Sequence, residues 1–325
     1  MNLSAEYIAV VINSTIRLMA PILLVTLAAV ICSRVDTAHI AYEGIMLSGA
    51  FFGIAVNYYT HNVWLAVLAA GLSGCVISFV VAFFIVKLKA YSLVVGISMN
   101  TFMVGTTTFL MTVVFGSKGV FQDPSLHGIP KITLPLISKI PILGTIFSSL
   151  TVLDYGAFLI AIVLYVFLFK TVPGYRLRAV GVNREAARSL GTNVDRFRIT
   201  AVTLSGFLAG IGGSLLTLGS VVVFTQNITS GRGYIALVAD SLGRSHPLGV
   251  IAACILFGFA EAVGNILQMN TSIKQQLTLA IPYLVTLLAL IFQNIRIKHA
   301  RNKHHAPLEC AEIKEGKETN NDREV

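Results

Sequence analysis

Long apolar segments recur along almost the whole chain, and short polar segments separate them. An α-helix needs about 20 apolar residues to cross the roughly 30 Å hydrocarbon core of a bilayer. On that criterion, candidate spans lie at 7–32, 39–57, 63–86, 91–115, 149–170, 199–224, 247–268 and 276–295. A further apolar piece, 233–243, is too short to cross, which predicts a broken or re-entrant helix enclosed by protein. The pattern therefore predicts an all-α fold, a polytopic transmembrane helical bundle of about 8–10 spans.

The composition agrees with an integral, multi-pass membrane protein. Hydrophobic residues make up 55% of the chain, charged residues make up 12%, and the mean hydropathy is +0.78. The charged share is about half of the roughly 25% that is usual in soluble domains. The first span is not expected to be a cleaved signal, because Glu6 precedes it and no Lys or Arg does.

The basic residues predict the orientation, because Lys and Arg concentrate in cytoplasmic loops. The segments assigned to the cytoplasm on this rule are Arg34, Lys87 with Lys89, the insert 170–198, Arg244 and 296–305. The N-terminus is then outside and the C-terminus is cytoplasmic. The net charge of +9 therefore reflects basic residues in cytoplasmic loops and does not indicate binding to nucleic acid. The expected partner is the lipid bilayer.

Two loops complete this organisation. The 116–148 loop is expected to be extracytoplasmic and extended, because it contains four prolines, although three lysines depart from the charge rule. These residues are Pro124, Pro130, Pro135 and Pro141, and Lys118, Lys131 and Lys139. The membrane domain is expected to cover 1–298, and the charged segment 299–325 is expected to be a disordered cytoplasmic tail. Its histidines His299, His304 and His305 fit a basic stretch beside anionic lipid better than a metal site.

The basic insert 170–198 is patterned. After Pro173 and Gly174 break the preceding span, a short amphipathic helix is expected, with an apolar side formed by Ala186, Ala187, Leu190 and Val194. Such a helix, held at the membrane surface by two flanking spans, suits docking to a soluble partner. The alternative is an ordinary positive-inside loop.

Several chemistries have no support in the sequence. No G-x-x-x-x-G-K-[ST] motif occurs, so ATP hydrolysis by a phosphate loop is excluded. The four cysteines form no C-x-x-C pair, which argues against a zinc site or a disulfide framework. Gly206, Gly210 and Ser214 lie four residues apart within a span, a spacing that favours close helix packing.

Polar residues within the apolar spans are the candidate functional residues. An acidic side chain at the centre of a bilayer costs about 2.5–3.5 kcal/mol on insertion scales, so it normally faces a bundle interior, a partner or a watery cavity. The residues in question are Glu43, Asn57, Asn100, Asp240, Glu261, Asn265 and Gln268. The last three share one helix face, as expected of a helix that lines a polar cavity. Interhelical hydrogen bonds that only hold the bundle together are the alternative.

Several segments resemble the permeases of ABC transporters in the branched-chain amino acid, ribose and nucleoside importer group. The cytoplasmic coupling loop of that group is similar to GYRLRAVGVNREAARSLGTNV, and a later conserved stretch is similar to GRGYIALVADSLGRSHPLGVIAACILFG. Two further segments resemble nucleoside permeases in particular: APILLVTLAAVICSRVDTAHIAYEGIMLSGAFFG and LVVGISMNTF. These segments are spread over about residues 20–295 in the family's order.

The resemblance implies a permease subunit of an ATP-driven importer in the bacterial plasma (inner) membrane. It implies a second permease subunit, identical or homologous, cytoplasmic ATPase subunits and an extracytoplasmic solute-binding protein. This chain would hold no cofactor, since ATP and Mg would be bound by the ATPase. A nucleoside is the expected solute, and a ribose- or galactose-like sugar is the alternative.

The resemblance to the coupling loop implies roles for residues of the insert, and the polar positions within the spans supply the candidates for the pathway. ATPase coupling is expected of Gly174, Arg178, Gly181, Asn183, Ala187, Arg188 and Gly191. The substrate pathway is expected to include Glu43, Asn100, Glu261, Asn265 and Gln268. A nucleobase also needs an apolar or aromatic face, for which the candidates are Phe102, Phe224 and Phe257.

The chain also departs from the pattern that it resembles. Asp240 with Ser241, Ser245 with His246, and Asp36 stand where other residues are usual. For Asp240, the alternatives are an altered substrate and a new ion pair with Arg232 or Arg244. Two other classes of protein remain as alternatives: a secondary transporter driven by ions at Glu43, Asp240 or Glu261, and a membrane scaffold or sensor.

Overall fold

The computed structural model describes residues 3–132 and 141–270, with six helical positions between 284 and 295. Residues 1–282 form one compact unit, to which everything below refers, and 283–325 form a second. Most of the predicted span 276–295, and the whole tail 299–325 with its histidines, lie outside the described residues.

Helices make up most of the described chain. They are α1 (Leu3–Arg34), α2 (Tyr42–Thr60), α3 (Val63–Ala82), α4 (Ser92–Phe115), α5 (Pro141–Ile146), α6 (Val152–Lys170), α7 (Val172–Val182), α8 (Arg184–Ser189), α9 (Val194–Leu218), α10 (Arg232–Leu242) and α11 (Gly249–Asn270). A π-helical turn, Phe83–Lys87, continues α3. The strands, each of two residues, are β1 (Val120–Phe121), β2 (Lys131–Ile132), β3 (Leu150–Thr151) and β4 (Phe224–Thr225).

The predicted helical bundle is confirmed. Within the described residues, six helices are long and apolar enough to cross a membrane: Ile8–Arg34, Val63–Lys87, Ser92–Phe115, Val152–Lys170, Val194–Leu218 and Gly249–Gln268. The predicted span 39–57 corresponds to α2, a 19-residue helix outside those six, of which 13 residues are buried. The predicted span 199–224 is displaced toward the N-terminus in the structure, because Asn193 caps the start of α9 and the helix ends at Leu218, before Gly219.

The core forms where α9 packs against α1, α2 and α3. Small residues allow this approach. A Cβ atom at Gly206 would collide with the carbonyl oxygen of Gly74, and one at Gly210 with that of Ala70. The close helix packing predicted from the spacing of Gly206, Gly210 and Ser214 is therefore confirmed.

The two ends of the bundle differ in chemistry. One end, called here the basic end, carries Arg34, Lys87, Lys89, Arg244 and the helices α7 and α8. At the opposite end, β1 pairs with β4 and β2 pairs with β3, both antiparallel. The 116–148 loop is thus not simply extended: it contributes β1, β2 and α5, while 133–140 lie outside the described residues.

The predicted broken helix is α10. It has only 11 residues, and it follows Gly231, whose φ of +85° is in the left-handed region that favours glycine. Its first residues contact the start of α2, and its last turn lies beside the end of α1 at the basic end, where the Ser33 hydroxyl donates to Asp240 Oδ2 at 2.6 Å. A helix therefore begins inside the bundle and ends at its basic end.

Candidate functional site

Glu43 holds the start of α10. Its Oε1 accepts the backbone N–H of Gly231 at 2.7 Å, and its Oε2 accepts that of Gly233 at 2.8 Å. The first N–H groups of a helix have no partner within the helix and carry a partial positive charge. Glu43 is 5% exposed, and a Cβ atom at Gly233 would collide with its backbone. The carboxylate therefore supplies the partners that bilayer lipid could not.

Asn100 joins three segments at the same place. Its Oδ1 accepts the N–H of Gly44 at 2.8 Å. Its Nδ2 donates to the carbonyl oxygen of Ile40 at 2.9 Å and to the hydroxyl of Tyr234 at 3.0 Å. The amide thus connects α4 with the start of α2 and with α10. We call Glu43, Asn100 and Tyr234 the polar junction.

Glu261 lies on the other side of α10 and pairs with Arg232. The Arg232 side chain is 20% exposed and that of Glu261 12%, and Arg232 also donates to the carbonyl oxygen of Ile228 at 3.1 Å. Two opposite charges are therefore compensated inside the bundle. Of the two alternatives for Asp240, the ion pair with Arg232 or Arg244 is not formed among the described residues: the Asp240 carboxylate accepts from Ser33, and Arg232 pairs with Glu261.

The remaining pathway candidates have different surroundings. Asn265 and Gln268 follow Glu261 along α11 toward the opposite end, and both are exposed. Of the aromatic candidates, Phe224 and Phe257 are 1% and 0% exposed, so their rings are packed in the core and the expectation that they face solute was wrong. Phe102 is 60% exposed.

Tyr234 was missed from the sequence. It is 40% exposed, although its hydroxyl is bonded to Asn100. Its ring is therefore an aromatic surface beside a buried hydrogen-bonding group at the start of the broken helix. The only signal in the sequence was its position in the Gly-Arg-Gly-Tyr segment that opens α10.

Caps divide the basic insert into two helices. Thr171 Oγ1 accepts the N–H of Gly174 at 3.3 Å at the start of α7. Asn183 ends α7 and caps α8, since its Oδ1 accepts the N–H groups of Glu185 and Ala186, each at 3.0 Å. Gly191, with φ of +80°, follows α8. The single amphipathic helix predicted from the sequence is therefore wrong.

The apolar side of that predicted helix is also divided. Ala187 and Val194 are buried against Val180, as expected. Ala186 is exposed, and Leu190 is 84% exposed because it follows the last residue of α8. Helical periodicity does not continue across the two breaks, so only half of the predicted face exists.

Most of the residues expected to couple the insert to an ATPase shape the insert itself. A Cβ atom at Gly174 would collide with the Phe167 carbonyl, and one at Gly181 with the Arg34 carbonyl. The Arg178 guanidinium lies over Phe169, 4.5 Å from the ring centroid. Asn183, Ala187 and Gly191 have the capping, packing and turn positions described above, whereas Arg188 is exposed.

The surface of the insert presents two aliphatic side chains. Val182, at the end of α7, is 88% exposed, and Leu190 has a similar exposure. Beside them, a cleft of about 890 Å³ is lined by Lys89, Arg188, Arg198 and parts of the 35–41 turn. In the nearby loop between α10 and α11, burial and then the charge of Arg34 lower the pKa of His246, so its imidazole stays neutral at pH 7.

Together the bundle and its broken helix define a membrane protein with a polar centre, and comparison with known proteins identifies its class. A family model described as the permease component of the branched-chain amino acid transport system matches residues 11–290. The chain belongs to this family and is a permease subunit of an ABC transporter, an integral protein of the plasma membrane and not an enzyme. Membership implies ATPase and substrate-binding partners, and it decides against the secondary transporter and the scaffold.

Three relatives illustrate the similarity. The guanosine ABC transporter permease protein NupQ of Bacillus subtilis is 31% identical over 88% of this chain and 92% of its own length. The nucleoside ABC transporter permease protein NupC of Lactococcus lactis is 32% identical over 83% and 87%. The putative glucose ABC transporter permease protein TsgC13 of Haloferax volcanii is 29% identical over 91% and 95%. No solved structure gives a significant match.

Proposed function

We propose that this chain forms, with a second permease subunit, the translocation pathway of an ATP-driven importer for nucleosides. Two similar permeases are named for guanosine and for nucleosides, which favours this solute class. The similar TsgC13 is named for glucose, so a sugar is the second candidate. The second subunit is identical to this chain or homologous to it.

The observation that carries the nucleoside proposal is the ring of Tyr234 beside Asn100. Nucleosides are neutral and rich in hydroxyl groups, so their pathway needs hydrogen-bonding groups more than net charge. A nucleobase also stacks on an aromatic face. Tyr234 offers a partly exposed ring, the Arg232–Glu261 pair compensates its own charges, and both oxygens of the Glu43 carboxylate are occupied by backbone N–H groups. Contacts with solute are transient, because tight binding would prevent release.

Docking to the ATPase is assigned to α7 and α8. The insert is rigid, since three caps and a buried cluster fix its course, and it exposes Val182 and Leu190 among basic side chains. Apolar anchors surrounded by charged groups are typical of protein interfaces. ATP and Mg belong to the ATPase. Its two states must bind the insert differently, because otherwise ATP would shift no equilibrium in the permease.

We assign the basic end and the C-terminus to the cytoplasm, because Lys and Arg concentrate in cytoplasmic loops. The test of the function is uptake by proteoliposomes that contain the chain with its permease, ATPase and binding-protein partners. We expect ATP-dependent uptake of labelled guanosine, with unlabelled nucleosides but not glucose as competitors. If glucose competes and nucleosides do not, the imported solute is a sugar and not a nucleoside. Uptake without ATP would contradict the mechanism.

A further inference from the structure

The turn 35–41, between α1 and α2, is held at its first residues by the basic insert. Asp36 has φ of +52°, an unusual backbone conformation for a residue other than glycine. The Arg184 guanidinium at the start of α8 donates to the Asp36 carboxylate at 2.5 Å and to its carbonyl oxygen at 2.6 Å. One residue later, Arg198 of α9 donates to the hydroxyl of Thr37 at 2.7 Å.

The other end of the same turn is held by the polar junction. The carbonyl oxygen of Ile40 accepts from Asn100, and α2 begins two residues later and carries Glu43. A Cβ atom at Gly96 of α4 would collide with the backbone of Ile40, so α4 lies directly against the turn. Asp36 and Glu43 are therefore seven residues apart, with the insert bonded to one and α10 to the other.

The turn between these anchors is closely packed. Val35, Thr37, His39 and Ala41 are at most 3% exposed, and the His39 ring stacks on Tyr42 with 4.4 Å between centroids. Packed segments move as units and do not deform continuously. A displacement of α8 would therefore move the start of α2, because the 35–41 turn between the two helices would move as a unit.

We propose that Asp36 is a positioning residue that transmits movement of α7 and α8 through the 35–41 turn to the polar junction. The inference rests on the proposed function, because it requires an ATPase that moves the insert. Asp36 does not touch the solute: it acts by keeping Arg184 attached to the turn. The consequence for transport is that less ATP is hydrolysed without import of solute.

A simple stabilising ion pair is the competing explanation, and the chain contains a matched control for it. Lys87 and Asp195 also form an ion pair at the basic end, 3.5 Å apart, with 51% and 39% exposed side chains. The side chains of Arg184 and Asp36 are comparably exposed, at 42% and 65%. The control pair joins the π-helical turn after α3 to α9, and not to the 35–41 turn.

The experiment measures ATP hydrolysed per solute molecule imported by the complete importer in proteoliposomes. Asp36→Ala and Arg184→Ala should each raise this ratio about two- to fivefold, the range of an exposed ion pair. The exchange Asp36→Arg with Arg184→Asp should bring it back toward the wild-type value, and Lys87→Ala, which breaks the control pair from outside the basic insert, should leave it unchanged. If Asp36→Ala does not accumulate in the membrane, Asp36→Asn, which keeps the side-chain shape, replaces it and should also raise the ratio.

The outcomes separate the two proposals. Absence of ATP-dependent uptake by the wild-type importer would contradict the proposed function. With a normal wild type, an unchanged ratio in the Asp36 variants would overturn only the role of Asp36. An equal rise in Lys87→Ala, or an exchange variant that does not lower the ratio, would also overturn it.

Discussion

The Glu43 carboxylate accepts the backbone N–H of Gly231 at 2.7 Å, across 188 residues of sequence. This bond fixes the place where a helix begins inside the bundle. It also gives an intramembrane acidic residue a structural role that is separate from any contact with solute. The other Glu43 oxygen is likewise occupied, by Gly233.

Replacement of Glu43 should therefore lower the stability of the protein and should not primarily change the selectivity of transport. Glu43→Leu leaves two buried N–H groups without partners, at about 1–3 kcal/mol each. Glu43→Gln keeps one acceptor oxygen and should therefore lose less stability than Glu43→Leu. Thermal unfolding in detergent should give the order wild type, Gln, Leu, with exposed Glu185→Gln as an unchanged control. Equal melting temperatures for Leu and wild type would mean that Glu43 does not cap α10.

For the Arg232–Glu261 pair, we expect that a second substitution restores the stability lost by the first. Glu261→Leu leaves the Arg232 charge uncompensated, which costs about 3–5 kcal/mol where a buried pair is broken. Glu261→Gln keeps a hydrogen-bond acceptor and should retain part of the transport, whereas Leu should abolish it. Adding Arg232→Met to Glu261→Leu should restore much of the thermal stability. Normal uptake by Glu261→Leu would remove Glu261 from the pathway.

The exposed aliphatic residues of the insert should be needed for ATPase binding. Val182→Asp and Leu190→Asp place a charge in the apolar contact, and we expect the ATPase to be lost when the permease is purified. Arg188→Glu should weaken the complex less, because it reverses one charge at the edge and leaves both aliphatic side chains in place. Val120→Asp, at an exposed valine of the opposite end (54% exposed, against 88% for Val182), is the control. Retention of the ATPase by both aspartate variants would contradict the assigned surface.

The orientation can be tested with single cysteines in a variant that lacks Cys32, Cys75, Cys254 and Cys310. His127→Cys, at the end opposite to the basic insert, should react with an impermeant thiol reagent in intact cells. Ser189→Cys, exposed at the end of α8, should react only after permeabilisation. The reverse labelling pattern would contradict the positive-inside orientation and, with it, docking of the insert to a cytoplasmic ATPase.

The sequence predicted the features that depend on local composition. Apolar length located the six described helices that could cross a membrane, and the short piece 233–243 predicted the broken helix α10. Prediction failed where a contact depends on the assembled fold. The partner of Asp240 is Ser33, more than 200 residues away, and no local pattern distinguishes it from Arg232 or Arg244.

The insert shows a second kind of failure. Asn183 and Gly191 are residue types that end or begin helices, yet periodicity was extended across both. Leu190 was consequently assigned to the buried side and is exposed. Tyr234 was overlooked for a related reason: exposure of an aromatic ring inside a helical bundle follows from the neighbouring helices and not from its own segment.

The central claim is that the polar junction belongs to a nucleoside pathway, and guanosine uptake by Tyr234 variants tests it most directly. Tyr234→Phe keeps the ring and loses the hydroxyl bond to Asn100, and should retain most of the ATP-dependent uptake. Tyr234→Leu removes the stacking surface and should lower guanosine uptake about tenfold, at an unchanged amount of protein in the membrane. Guanosine uptake by Tyr234→Leu equal to that of the wild type would contradict the account.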